Sequence, residues 1–131
     1  MISVVIPCRN EVKNIAECII AISDSKFSKP TEIEILVIDG QSDDGTIEVL
    51  NELKSKFTNL KVIENVKRVT PVAFNLGVKE AQGDYIQIIG ARQVISRDYL
   101  AKAKATLEEK RDVWCVGGGV ENVFQSEESK N

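Results

Sequence analysis

Apolar and polar positions in this chain fall into blocks, and the blocks change period in a regular order. Ile2 to Pro7 is short, β-branched and almost wholly apolar, the composition of a strand covered on both faces as in a parallel sheet, and Pro7 ends it. From Glu11 to Ser23 the apolar positions Val12, Ile15, Ala16, Ile19, Ile20 and Ile22 recur at three and four. That spacing predicts a crossover helix, with Asn10 placed to cap its first turn. Phe27 to Thr31, with Pro30, reads as a loop that returns the chain to a second strand, Ile33 to Asp39.

The same alternation continues. Ile47, Val49, Leu50, Leu53 and Phe57 stripe a helix over Thr46 to Lys56, with Asp43 or Asp44 as its cap, and Leu60 to Glu64 makes a third strand. Past the polar stretch Asn65 to Thr70, Pro71 opens a helix that runs to about Ala81, with Gly83 as its stop. Tyr85 to Ile89 is a fourth strand, Ser96 caps a helix over Arg97 to Lys110, and Val113 to Val116 starts a fifth strand before three glycines, Gly117 to Gly119. Strands alternating with helices predict an α/β fold: a Rossmann-like, mostly parallel sheet with helices on both faces and right-handed crossovers. One domain is expected over residues 1–124, and the polar tail 125–131 is expected to be disordered.

Composition narrows the chemistry. A chain of 131 residues suits one domain with a real core. Its 17 basic and 20 acidic residues give a net charge of −3, so no general pull toward nucleic acid or anionic lipid is expected and any anion site is local. There is no histidine, which excludes a histidine base and the Ser/His/Asp and Cys/His nucleophile systems. Cys8, Cys18 and Cys115 are odd in number and lack paired spacing, as in a reducing compartment, and argue against a zinc site. No signal-peptide pattern or membrane-spanning apolar run is present. A cytoplasmic protein is expected, with peripheral attachment to the inner membrane face left open.

In an open α/β sheet ligands gather at the carboxyl ends of the strands. Here those ends carry Pro7, Cys8, Arg9, Asn10 and Glu11, then Asp39, then Lys67 and Arg68, then Gly90 to Arg92. Carboxylates and amides can read a base and ribose, while arginine and lysine meet phosphates, so a nucleotide is the economical ligand. Asp43 and Asp44 are read as helix caps, Glu11 as a first-turn acid that complements a helix dipole, and Asn75 as a tie to its own helix backbone. Cys8 and Cys18 read as small buried hydrophobes, and Trp114 with Cys115 as core.

At these positions the sequence resembles the nucleotide-sugar-binding half of the family 2 glycosyltransferases, which have the GT-A fold. Ser3 to Glu11 (Ser-Val-Val-Ile-Pro-Cys-Arg-Asn-Glu) is similar to that family's first strand and Asn-Glu turn, and Val37 to Thr46 to its second strand and acidic turn. Asn75-Leu-Gly77 and Ala81-Gln-Gly-Asp-Tyr-Ile86 are similar to its third helix and the strand leading to its metal site. The resemblance implies transfer of a sugar from a nucleoside diphosphate donor, most often uridine-linked, to an acceptor hydroxyl, with inversion, in polysaccharide or glycolipid synthesis. It implies that Pro7, Arg9, Asn10, Glu11 and Asp39 hold base and ribose, with Lys67 or Arg68 near the diphosphate. The acceptor is not named by the sequence.

Two departures qualify the resemblance. The family places Asp-x-Asp after the fourth strand to hold Mg2+ or Mn2+ across the two phosphates; here Gly90, Ala91 and Arg92 stand there, without the hard oxygen ligands such an ion needs. Arg92 is the expected substitute, a fixed cation that stabilises the leaving diphosphate. The family's catalytic base and most acceptor contacts lie beyond the glycine-rich strand, and this chain ends soon after it. The expectation is a donor-binding half truncated after the fifth strand, able to self-associate through the surface left open. The alternative is a non-catalytic nucleotide-sugar-binding remnant or interaction module. A phosphoacceptor receiver domain ranks lower, because the fifth strand ends in glycines where that fold needs a lysine.

Overall fold

The computed structural model describes residues 1–26 and 31–110. Four strands, β1 (Ile2–Cys8), β2 (Ile33–Asp39), β3 (Leu60–Glu64) and β4 (Tyr85–Ile88), alternate with four helices, α1 (Ile15–Ser23), α2 (Thr46–Lys56), α3 (Thr70–Glu80) and α4 (Tyr99–Glu109). All strand pairs are parallel and the order across the sheet is β3-β2-β1-β4. The chain therefore winds outward from β1 in one direction and then jumps back past it to β4. That reversal leaves a crevice beyond the carboxyl ends of the central strands, the usual place for a ligand in such sheets.

Both central strands are buried on both sides, which is why they read as continuous apolar runs. Val4, Ile6, Ile35 and Val37 pack on one face against Ile15, Ile19 and Ile22 of α1, Leu50 of α2 and Leu100 of α4. Val5, Leu36 and Ile38 point to the opposite face and meet Ala73 and Leu76 of α3. Gly77 allows α3 to lie on β1: a Cβ there would stand 2.3 Å from Val5 Cγ1. At the amino end of the sheet the buried carboxylate of Glu34 accepts hydrogen bonds from Ser3 Oγ and the Gln82 backbone N–H, while Ser3 Oγ accepts one from Gly83 N–H at 2.8 Å.

Several local expectations need correction. The first helix begins at Ile15, not Glu11, and its N-cap is Asn14. Asn10 does not cap it; it sits at φ 53° and its side chain accepts from Asp43 N–H. Glu11 precedes the helix and is no first-turn acid. The third helix stops at Glu80 with Ala81 extended behind it, so Gly83 is not its stop. Gly83 is needed because a Cβ would lie 2.6 Å from Met1 O and 2.8 Å from Ser3 N. The last helix starts at Tyr99 with Asp98 as N-cap; the Ser96 hydroxyl donates to that aspartate, and only the Ser96 carbonyl meets the helix, accepting from Tyr99 N–H. Asn75 is exposed and its side chain makes no hydrogen bond among the described residues, so it does not tie down its helix. The expected fifth strand, with Trp114, Cys115 and Gly117 to Gly119, and the tail 125–131 lie outside the described residues. No helix among those described is long and apolar enough to cross a membrane.

Candidate functional site

A cleft of about 240 Å3 opens at the carboxyl edge of the sheet. It is lined by Pro7, Cys8, Arg9 and Glu11 after β1, Ile38 and Gly40 from β2, Asn65 and Arg68 after β3, and Val69, Thr70 and Ala73 from the start of α3. Gly40 lies between the two arginines: from the place of a Cβ on it, Arg9 Cβ and Arg68 Cα are each 3.5 Å away. Their exposed guanidiniums make the mouth cationic in a chain whose net charge is negative.

The loops that shape this mouth are tied to one another. Asn10 N–H donates to Ser42 Oγ at 2.8 Å and Asp43 N–H returns a bond to Asn10 Oδ1 at 2.9 Å. Next along, Glu11 N–H donates to Thr46 Oγ1 and Val12 N–H to Asp44. Three non-glycine residues take positive φ to make this geometry, Asn10, Gln41 and Arg68, as does Gly45, a conformation that asparagine tolerates better than most. Asp44 also accepts from the N–H and hydroxyl of Thr46, the first residue of α2. These bonds, the Thr46 hydroxyl foremost, hold its carboxyl below the ordinary aspartate range. Neither aspartate read as a cap holds the N-cap of α2, which is Gly45 at φ 104°; Asp44, one residue earlier, accepts from Thr46, and the exposed Asp43 contributes only its backbone N–H to Asn10.

Asp39 lies beneath the mouth, 2% exposed. One of its carboxylate oxygens accepts from Ser42 N–H at 2.9 Å and the other from Ser42 Oγ at 2.6 Å. Beside it in register is Cys8, whose thiol is pushed up to about 12 by burial and then by the negative charges of Asp39, Glu11 and Asp44. A thiol so protonated is no nucleophile near neutral pH. Cys18, likewise raised to about 12 by burial, is packed in the core.

After β4 the chain turns tightly, with Gly90 N–H donating to Gln93 Oε1 and Gln93 N–H to Gly90 O. The turn brings Arg92 to Glu11. Arg92 Nε lies 3.0 and 3.1 Å from the two carboxylate oxygens, and Asn14 Nδ2 donates to the same group at 3.1 Å. The Glu11 side chain is 15% exposed and that of Arg92 77%. This strand end does not suit a divalent cation: residues 90–92 offer no carboxylate, and a guanidinium occupies the edge. Among the described residues no group of three or more cysteine, aspartate or glutamate side chains could hold a metal ion.

The model of glycosyl transferase family 2 matches residues 3–130 of this sequence. The chain belongs to that family. Among its relatives is a Methanococcus voltae protein named dolichyl N-acetyl-alpha-D-glucosaminyl phosphate 3-beta-D-2,3-diacetamido-2,3-dideoxy-beta-D-glucuronosyltransferase, 35% identical over 95% of this chain and 40% of that protein. Among solved structures, Staphylococcus aureus TarS 1–349 in complex with UDP-GlcNAc superposes with a TM-score of 0.73 at 27% identity, over 82% of this chain and 31% of that one. The Pyrobaculum calidifontis mannosyltransferase PcManGT in complex with GDP-Man and Mn2+ gives a TM-score of 0.75 at 26% identity, over 81% and 32%. This family 2 chain thus has the GT-A fold and spans 40% of the length of the Methanococcus voltae relative.

Of the residues singled out from sequence, Pro7, Arg9, Glu11 and Arg68 line the cleft together. Arg92 joins them through Glu11, Asp39 sits below, and Asn10 belongs to the loop clasp. Lys67 is exposed and does not line the cleft. Sequence reasoning missed Ser42, Thr46 and Asn65. Asn65 is 2% exposed, donates from Nδ2 to Val69 O and accepts from Lys67 N–H, and so knits the loop between β3 and α3. Its place directly after a strand was the available signal; for Ser42 and Thr46 it was the density of small hydroxyl residues in an acidic turn.

Proposed function

We propose that this chain is the donor-binding part of an inverting glycosyltransferase that takes a sugar from a uridine diphosphate donor and delivers it to an acceptor hydroxyl in polysaccharide or glycolipid synthesis. The observation that carries the reading is the cleft at the carboxyl edge, walled by Pro7, Arg9, Glu11 and Arg68. Its volume suits a base and ribose better than a whole nucleotide sugar. The nucleoside therefore occupies the cleft, and the diphosphate and sugar run along the edge toward Arg92. Asp39 keeps lone pairs beyond its two bonds to Ser42 with which to accept from the base or ribose. Asn10 orders the rim, and Arg9 and Arg68, with Lys67 at longer reach, balance phosphate charge.

Departure of the diphosphate leaves negative charge on the oxygen released from the sugar, and a cation fixed beforehand lowers that barrier without reorganising. Arg92 fills this role here in place of a metal ion. The acceptor oxygen attacks the anomeric carbon as the bond to the diphosphate breaks, so the configuration inverts; the acceptor's proton goes to a base that is not assigned among the described residues. Isothermal titration with UDP, in chelator and again with manganese, tests this. Binding in chelator, little changed by manganese and weaker for GDP, is expected. Binding that appears only with the ion counts against the metal-free reading, and no binding under either condition against the donor site itself.

A further inference from the structure

We propose that Glu11 is the positioning residue that aims Arg92 at the donor's diphosphate; this rests on the donor reading above. Glu11 links the cleft to the β4 turn, since it lines the former and binds Arg92 of the latter. Its carboxylate is itself held, with Asn14 Nδ2 on the side chain and Thr46 Oγ1 on its backbone N–H. The carboxylate takes Arg92 by Nε alone, at 3.0 and 3.1 Å. The two terminal nitrogens make no hydrogen bond among the described residues and stay available as a fork for two phosphate oxygens. A long side chain that is 77% exposed would otherwise sample many rotamers. The ion pair removes that freedom before the ligand arrives.

The proposal has a sign that simple charge does not share. Glu11 is an anion beside a site for an anion, so by Coulomb's law alone its removal tightens diphosphate binding. If Glu11 acts through Arg92, removal weakens it instead. The 131-residue chain is titrated with UDP and with uridine, as wild type, Glu11→Gln, Arg92→Ala, Arg92→Lys and the Glu11→Gln/Arg92→Ala double variant, with a thermal melt for each. We expect UDP affinity to fall roughly threefold to tenfold in Glu11→Gln and about tenfold or more in Arg92→Ala, with the double variant no weaker than Arg92→Ala and uridine affinity falling less than UDP affinity in every variant. Arg92→Lys keeps the charge but cannot both hold Glu11 and present a fork, so it too loses UDP affinity, which keeps the idea testable if Glu11→Gln folds poorly. Unchanged or tighter UDP binding in Glu11→Gln, or wild-type UDP affinity in Arg92→Lys, overturns the positioning role and leaves the donor reading intact. A drop in uridine affinity in Glu11→Gln as large as the drop in UDP affinity overturns it in favour of direct contact with the nucleoside. Wild type that binds no UDP removes the donor reading, and this inference with it.

Discussion

Replacing Gly77 by alanine tests how the sheet carries the cleft. From the position of the added Cβ, Val5 Cγ1 is 2.3 Å away, Cγ2 3.0 Å and Cβ 3.2 Å, against the roughly 3.5–4.0 Å of unstrained carbon contact. Val5 is fully buried and β-branched, so it has little freedom to turn aside. The helix must move instead, and α3 must lift off β1 by about an ångström or the core must distort. Overpacking of this kind costs about 1–3 kcal/mol, with so close a contact belonging in the upper half, and alanine returns about 1 kcal/mol as the better helix former. The expected net loss is about 1–2 kcal/mol, which for a chain of 131 residues lowers Tm by roughly 4–8 °C. Because Ala73, one turn before Gly77, and Thr70 both line the cleft, UDP affinity should fall with it. Thermal melts and urea titrations of Gly77→Ala in the wild-type and Val5→Ala backgrounds measure the effect. In the Val5→Ala background the two methyl clashes are gone and only the 3.2 Å approach to Cβ remains, so the alanine should cost much less. A Gly77→Ala protein as stable as wild type, or one whose cost is the same in both backgrounds, refutes the reasoning.

Other outcomes follow from the same structure. Glu34→Ala strands the buried Ser3 hydroxyl and the Gln82 N–H, and should cost about 2–4 kcal/mol in urea unfolding, while Glu34→Gln, which keeps an acceptor oxygen, should cost less. Asp44 has its folded carboxyl lowered, so the stability it contributes is complete above its unfolded value near 3.9 and is lost as pH falls through the lower folded value; an Asp44→Asn variant should show a shallower acid limb in melts between pH 5 and 2. Cys8 and Cys18, raised to about 12, should resist iodoacetamide at pH 8 in the native protein and react on unfolding, as read by peptide mass spectrometry. Native labelling of either at the rate of a free thiol contradicts their burial.

Much of the fold was legible because its cause is local. The β-branched run Ile2 to Pro7 and the stripe of Ile47, Leu50 and Leu53 announce a doubly buried strand and a one-sided helix whatever surrounds them, and β2, α2 and β3 fall where the pattern placed them. Helix ends were less legible. Asn10, Ser96 and Gly83 have the right chemistry for caps and stops, but each is claimed by a partner distant in sequence or in the next turn: Asp43 for Asn10, Asp98 for Ser96 and the Met1–Ser3 backbone for Gly83. The site was half legible. Strand ends named Pro7, Arg9, Glu11 and Arg68 correctly as neighbours, since a parallel sheet delivers every strand's carboxyl end to one edge.

The sequence by itself determined the alternation of strands and helices, the parallel sheet that follows from it, and the edge on which polar groups collect, because hydrophobic periodicity acts over a few residues. Only the tertiary structure decided what those polar groups do. It placed β4 beside β1 and so joined Arg92 to Glu11 across 81 positions of chain. It also set Asn10 against Ser42 and Asp43 and turned both oxygens of Asp39 onto Ser42. A hydrogen bond needs its partner within about 3 Å at a favourable angle. Which of several polar side chains meets that condition depends on the strand order and on the positive-φ turns at Asn10, Gln41 and Arg68, and neither leaves a mark in the pattern of apolar residues.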